Sequence, residues 1–330
     1  MCKRYVFTTA AIIALAGVML AQAPKPNSPS PTATSSTVKL KSYLTQTYDL
    51  KPKYKKGEVR YQRLVIVYNT LDPGGHIMNR NEIRGDLERR VESVLPDGKA
   101  YERITWKSRA SRIGQGATGP YGPYQFHDWA EGFSYQFSAE DPYDKFYSNY
   151  EKFPKTMPAY QALGHMVSAH FEFDFLRSSY HGAIEKLRKI DDEVEAPDNH
   201  QPFTINLPPM MPNSNIQKNN VRTRFIGLTY AGGEPCAIIA HWQGPGDFWI
   251  ELAAGPGKLQ RIDMTSTFAG NLYVRLSNGS LVHGDFVEWV MAKLPGSTPE
   301  KPSYGYTRGD YNIDEISREE YLKGISDSAK

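Results

Sequence analysis

The residues best equipped for chemistry cluster at His165, His170, Glu172 and Asp174. If residues 170–175 are extended, His170, Glu172 and Asp174 share one face, as metal ligands must. An imidazole beside two carboxylates can hold a divalent cation and activate water for hydrolysis. The spacing matches no zinc signature such as H-E-x-x-H, and a solvated strand face over Phe171, Phe173 and Phe175 has the same pattern. His241 and Asp247 form a second candidate acid–base pair, in a Gly-rich stretch. A third group, Tyr121, Tyr124, Phe126, His127 and Trp129, offers rigid aromatic faces to a sugar ring or an apolar ligand. The same aromatics would equally pin an irregular loop to a core. No side chain takes a catalytic role on this reading and no cofactor is implied; metal binding at His170, Glu172 and Asp174 stands as the alternative.

Motifs that would fix a chemistry are missing. There is no G-x-S-x-G elbow, P-loop or dinucleotide fingerprint. Gly114, Gly116 and Gly119 match G-x-G-x-x-G in spacing, but Pro120, Gly122 and Pro123 follow where a helix should open. Arg-Gly-Asp occurs at 84–86, inside a strand pattern, and at 308–310, in a polar tail; chance explains both. Cys236 lies in the apolar run 235–240 and reads as a small core residue, not a reactive thiol.

The elements that must carry these residues are mostly strands. Residues 59–68 mix alternation with β-branched side chains. Residues 82–94 fit a strand or a helix by spacing, and Gly85 with the turn at Pro96-Asp97-Gly98 favours the strand. Residues 101–106 alternate again, which predicts a hairpin about that turn. Residues 114–132 read as a long loop, and 133–137 as a short strand. A helix is expected from Pro158, a strand at 170–175, a short amphipathic helix at 181–192 and a loop at 196–220. Six runs follow: 221–230, 236–242, 248–253, 259–268, 272–276 and 281–290. Glycines separate them, with Asn278-Gly279 the strongest hairpin signal. Residues 296–330 read as a polar, peripheral segment ending in a short helix that Ser317 caps ahead of Glu320.

Lys3 and Arg4 precede an apolar run at residues 5–21, closed by Gln22-Ala23: the plan of an export signal. Pro24 after Ala23 is unfavourable for cleavage. The run also nears the roughly 17 residues needed to cross a bilayer, so an uncleaved N-terminal anchor is the alternative. Residues 24–37, rich in Pro, Ser and Thr, read as a disordered spacer. The expected domain plan is a signal at 1–23, the spacer, a β-rich domain at 38–295 and the polar segment at 296–330. Within that domain, 38–150 and 203–295 share a rough strand–turn–strand plan, which fits either an internal duplication or one large sheet. The formal charge is +3, and without Lys3 and Arg4 there remain 37 basic against 36 acidic residues. Such a balance leaves no electrostatic footprint for nucleic acid. Only Cys236 lies outside the leader, so no intramolecular disulfide can form and an apolar core must hold the fold. The 21 Tyr and 14 Phe point to an aromatic core that favours strands.

Glu251, Gly270-Asn271-Leu272-Tyr273, Asn278-Gly279-Ser280 and Glu288 lie in a strand-and-turn order similar to exported bacterial lipoprotein carriers of the LolA/LolB type. The resemblance covers about a third of the chain, and the chain also resembles uncharacterised exported bacterial proteins of similar plan. It implies a curved antiparallel half-barrel closed over by helices that binds acyl chains, and it transfers no functional residue. The expected protein is therefore α+β and β-dominated, with a large curved antiparallel sheet and a few helices packed on it. Its expected role is a non-enzymatic one at the cell envelope, periplasmic or secreted, with an apolar or lipid-like ligand or an envelope protein partner. A metal-assisted hydrolase and a structural interaction module are the alternatives.

Overall fold

The computed structural model describes residues 43–128, 131–139, 141, 183–195, 203–207, 211–216, 221–255, 258–294 and 296–325. The front run gives β1 (Val59–Leu71), β2 (Ile77–Val94) and β3 (Ala100–Gln115), followed by the short β4 (Gln125–Phe126) and β5 (Ser134–Phe137). Next come β6 (Glu193–Glu195), β7 (Phe203–Leu207) and β8 (Met211–Ile216). The back run gives β9 (Val221–Ala231), β10 (Glu234–Gly255), β11 (Lys258–Arg275), β12 (Leu281–Lys293) and β13 (Tyr304–Ile316), then helix α1 (Arg318–Lys323).

All 13 strands join one antiparallel sheet, in the order β4-β3-β2-β1-β13-β12-β11-β10-β8-β7, with β5 beside β3 and β9, carrying β6, beside β10. The expected β-dominated architecture is what forms. No pairing closes the two ends of the sheet onto each other among the described residues. The front and back runs are one sheet because β13 lies between β1 and β12, pairing Ile66 with Tyr311 on one side and Tyr311 with Phe286 on the other. This corrects the peripheral reading of residues 296–330. The strand YGYTRGDYNIDEI buries Thr307, Gly309, Tyr311 and Ile313 on one face, an alternation that its polar residues disguise.

Two further expectations change. Residues 203–207 and 211–216 are strands within the segment read as a loop. The six back runs are four strands, because two glycine clusters read as turns lie inside β10 and β11. At Gln243/Gly246 the register shifts, so the glycines there make a bulge. At Gly270 a Cβ would come within 2.0 Å of the Asp285 carbonyl oxygen and 2.6 Å of the Phe286 ring. Glycine inside a strand can mark a bulge or a close backbone approach instead of an ending.

The hairpins at Pro96-Asp97-Gly98 and Asn278-Gly279 form as expected, with Gly98 (φ 90) and Gly279 (φ 70) in the left-handed region that lets β2–β3 and β11–β12 turn back. The terminal helix forms too, with a capping box between Ser317 and Glu320, and Tyr321 stacks on Tyr61 with ring centroids 4.6 Å apart. Of the helix expected at 181–192, the described part holds one turn, closed by Lys186 N donating to Ala183 O at 3.0 Å. The helix expected from Pro158 and the strand at 170–175 lie outside the described residues.

One sheet face carries the core. Leu64, Ile66, Ile104, Phe225, Ile239, Leu272, Phe286 and Ile313 all belong to a single buried cluster spanning the sheet, with Tyr48, Leu50, Ala183, Ile184 and Leu187 packed over it. Each such side chain, fully buried, contributes about 1.5–3 kcal/mol. The core face is not purely apolar. At one end Glu102 receives a hydrogen bond from Arg60 at 2.9 Å and lies 3.5 Å from Arg89, whose Nε donates to Gln62 at 2.7 Å. All four side chains are buried. The opposite face is polar and half-exposed: along β1 it shows Tyr61, Arg63, Val65 and Val67.

Candidate ligand-binding site

The aromatic loop after β3 does come together, but around protein partners. Tyr121 bridges back to Gly114, and Gln125–Phe126 pairs with Ala110–Ser111, so the loop folds along the edge of β3. Arg80 donates to the carbonyls of Gly116 and Gly119 and stacks 4.3 Å from the Tyr121 ring. Arg112 lies 4.4 Å from the centroids of both Tyr121 and Tyr124. Beneath them Glu82, 5% exposed, accepts from Arg84 at 2.8 Å, Arg112 at 3.0 Å and the Tyr124 hydroxyl at 2.5 Å. Burial works against its charge, yet these donors hold the carboxyl below its ordinary range. Burial and the Glu82 carboxylate push the Tyr124 phenol up. His127 bonds Ser111 at 3.0 Å, and burial drives its pKa down to about 4. Phe126 is exposed. Trp129 lies outside the described residues, as do His170, Glu172 and Asp174. The arginines that grip Tyr121 and Tyr124 come from β2 and β3 through cross-strand register, which composition does not reveal.

His241 and Asp247 are separated. Without the bulge at Gln243/Gly246 they would share a face, but the extra residue turns Asp247 outward. There it is exposed and accepts from Thr265 Oγ1 at 2.6 Å. His241 points into the core face, 2% exposed, with its ring edge-on to Phe286 at 6.3 Å. Burial alone drives its pKa down to about 4, so the imidazole is neutral near pH 7. Both ring nitrogens lack a hydrogen-bond partner, as do Thr223 Oγ1 and Gln243 Oε1 beside it. Further along the same face the Tyr311 hydroxyl donates to Glu288 at 2.9 Å and lies 3.2 Å from the Tyr68 hydroxyl. A Cβ on Gly309 would strike the Tyr311 ring at 2.7 Å, so glycine there makes room for it. No signal in the sequence marks this buried polar stretch, because its members are spread over β1 and β9–β13.

Two features lie on the opposite face. His283 Nδ1 is 2.7 Å from Asp314, 3.6 Å separate its Nε2 from Asp285, and Tyr273 packs on its ring. The Asp314 carboxylate raises the His283 pKa. Near the far ends of β10–β13 a depression of about 400 Å³ is lined by Asp247, Trp249, Arg261, Met291, Lys293 and Tyr304. Arg261 stacks on Trp249 at 4.5 Å, Arg308 on Trp289 at 5.2 Å and Arg222 on Trp242 at 5.8 Å. Each of these tryptophans therefore has one face already taken. No group of three or more His, Cys, Asp or Glu is placed to hold a metal among the described residues. Cys236 is buried, with its thiol pKa raised by burial, as a core residue should be. The Arg-Gly-Asp at 84–86 is unreadable from outside, since Asp86 is 0% exposed and holds Arg63 through two 2.8 Å bonds.

No protein-family model matches the chain, and no curated protein matches it in sequence.

Proposed function

We propose that this is an exported, non-enzymatic binding protein of the cell envelope that holds an apolar or lipid-like ligand against the core face of its sheet. The observation that carries the reading is the single apolar cluster that runs along the core face from β5 to β9 beneath a separate cover. Strands are tied to one another by ladder hydrogen bonds. The described cover meets the sheet chiefly through side chains, with a few backbone bonds such as Asp191 N to Phe225 O at 2.7 Å on β9 and Lys53 N to Asn278 O at 2.8 Å at the β11–β12 turn. An apolar chain can enter between such layers without breaking the sheet. The basic and apolar N-terminus supports the export part of the reading.

The test is native against denaturing mass spectrometry on the full chain, expressed with its leader and purified without detergent from the exported fraction. An adduct that is lost on denaturation and is recovered as a lipid in an organic extract is the expected result. A clean apo mass, or a chain retained in the cytoplasm, would overturn it.

A further inference from the structure

We infer that the core face of β9 and β10 holds a seat for an uncharged hydrogen-bonding group of the ligand, a hydroxyl above all, built from Thr223, His241 and Gln243. The inference rests on the binding reading above and supplies what that reading lacks, the chemistry of the ligand's polar end.

His241 on β10 pairs directly with Thr223 on β9, and Gln243, two residues on, pairs with Val221. The three side chains are 1–3% exposed and share the core face. Four of their polar atoms have no hydrogen-bond partner: Thr223 Oγ1, both nitrogens of His241 and Gln243 Oε1. Among the described residues, each of the others with such an atom has one only, a guanidinium nitrogen or a hydroxyl. Buried polar atoms ordinarily have partners, so four orphans on adjacent positions mark a place that receives polar groups from outside the chain.

The set defines what fits. Neutral imidazole offers one donor and one acceptor, the threonine hydroxyl can be either, and the glutamine oxygen accepts. A hydroxyl, which both donates and accepts, complements all three. A carboxylate only accepts, and it would be an unpaired charge among Val221, Phe225, Ile239, Phe268 and Phe286, with Glu288 on the far side of Phe268. Gly270, opposite His241 on β11, contributes no side chain, so the Phe286 ring borders the imidazole in its stead. An amphiphile would thus lay its chain along the apolar cluster and its head against β9 and β10.

The experiment uses the full chain and the fluorescent apolar probe N-phenyl-1-naphthylamine, displaced at pH 7.5 by 1-monooleoylglycerol or by oleate. Wild type is compared with the near-isosteric variants Thr223→Val and Gln243→Leu. The expected result is tighter displacement by the monoacylglycerol than by oleate. Each variant should lose roughly tenfold in affinity for the monoacylglycerol while binding the probe as before. Should Gln243→Leu fail to fold, Thr223→Val alone carries the comparison. If the probe binds but both variants hold the monoacylglycerol as tightly as wild type, the orphan atoms serve only internal water; the seat is then overturned and the binding reading stands. If neither probe nor amphiphile binds wild type, both fall.

Discussion

At the scale of single residues the core face is held by charges that must stay paired. Glu102 is 2% exposed and lies between Arg60 and Arg89, themselves 8% and 2% exposed. Removing one partner of a buried ion pair strands the other, so Glu102→Ala should cost about 3–5 kcal/mol. A lower urea midpoint with an unchanged slope would show it; a loss under 1 kcal/mol, roughly the worth of an exposed pair, would mean that water reaches the arginines. His241 makes a second prediction, through pH. Its pKa is about 4 in the fold and about 6.5 in an unfolded chain. Between those values the unfolded state takes up the proton and the fold does not, so stability is full above pH 6.5 and falls as pH drops toward 4. The loss from this residue is on the order of 3 kcal/mol. His127 acts in the same direction. His283, raised by Asp314, acts in the opposite one: its contribution is complete below pH 6.5 and fades as pH rises through its folded value. His241→Phe should therefore flatten the acid side of the stability profile, read as urea midpoints between pH 4 and 7, and an unaltered slope would refute the assignment. Little of this was legible beforehand. Tyr121 and Tyr124 stood out as aromatics in a loop, but Glu82, Arg80 and Arg112, which engage them, are joined to them only by cross-strand register. His241 stood out as a histidine, while the bulge that parts it from Asp247 gives no signal beyond Gly244-Pro245-Gly246.

At the scale of elements, glycine decides how the strands run. Gly270, Gly85 and Gly309 sit within strands, and an added Cβ would meet the Asp285 carbonyl oxygen, the Trp106 ring and the Tyr311 ring at 2.0, 2.2 and 2.7 Å. At Gly270 the nearest obstacle is backbone, which cannot swing aside, so Gly270→Ala should cost about 1–3 kcal/mol through overpacking. Gly227 on β9 has nothing within 4 Å of such an atom, and Gly227→Ala should stay within about 0.5 kcal/mol. Equal midpoints for the two variants would refute the packing argument. The contrast also explains what sequence could and could not show. Alternation, Asn-Gly and Asp-Gly turns, and the Ser317/Glu320 box are local codes, and among the described residues the strands, turns and helix they mark lie at the expected positions. A glycine inside a long strand carries the same local signature as one in a turn. What distinguishes Gly270 is the neighbouring strand pressing on it, so β10 and β11 each read as two strands in the sequence.

At the scale of the molecule, the last strand joins what the sequence presents as two sections. β13 pairs with β1 along Leu71 to Tyr61 and with β12 along Lys293 to His283, so it is an interior strand. Its charged residues disguise this. Arg308, Asp310 and Asp314 all lie on the solvent side, where Arg308 pairs with Asp310 and Asp314 with His283, while Tyr311 and Ile313 complete the core. An interior strand is tied on both edges, so its loss exposes two rows of backbone donors and acceptors together with the apolar face beneath them. A chain ending at Leu294 should therefore lose cooperative unfolding and near-ultraviolet dichroism, and it should aggregate or be degraded. A chain ending at Ser317 keeps β13 and loses α1 and the residues after it, among them the buried Ile325; the clearest hold of α1 on the sheet is the Tyr321–Tyr61 stack. It should fold with a modestly lower midpoint. Residues 304–316 also link segments far apart in sequence, so the sheet cannot be completed until they are available to pair. If the chain ending at Leu294 unfolded cooperatively at a midpoint near that of the full protein, the two sections would be independent units after all and β13 only a strap across them.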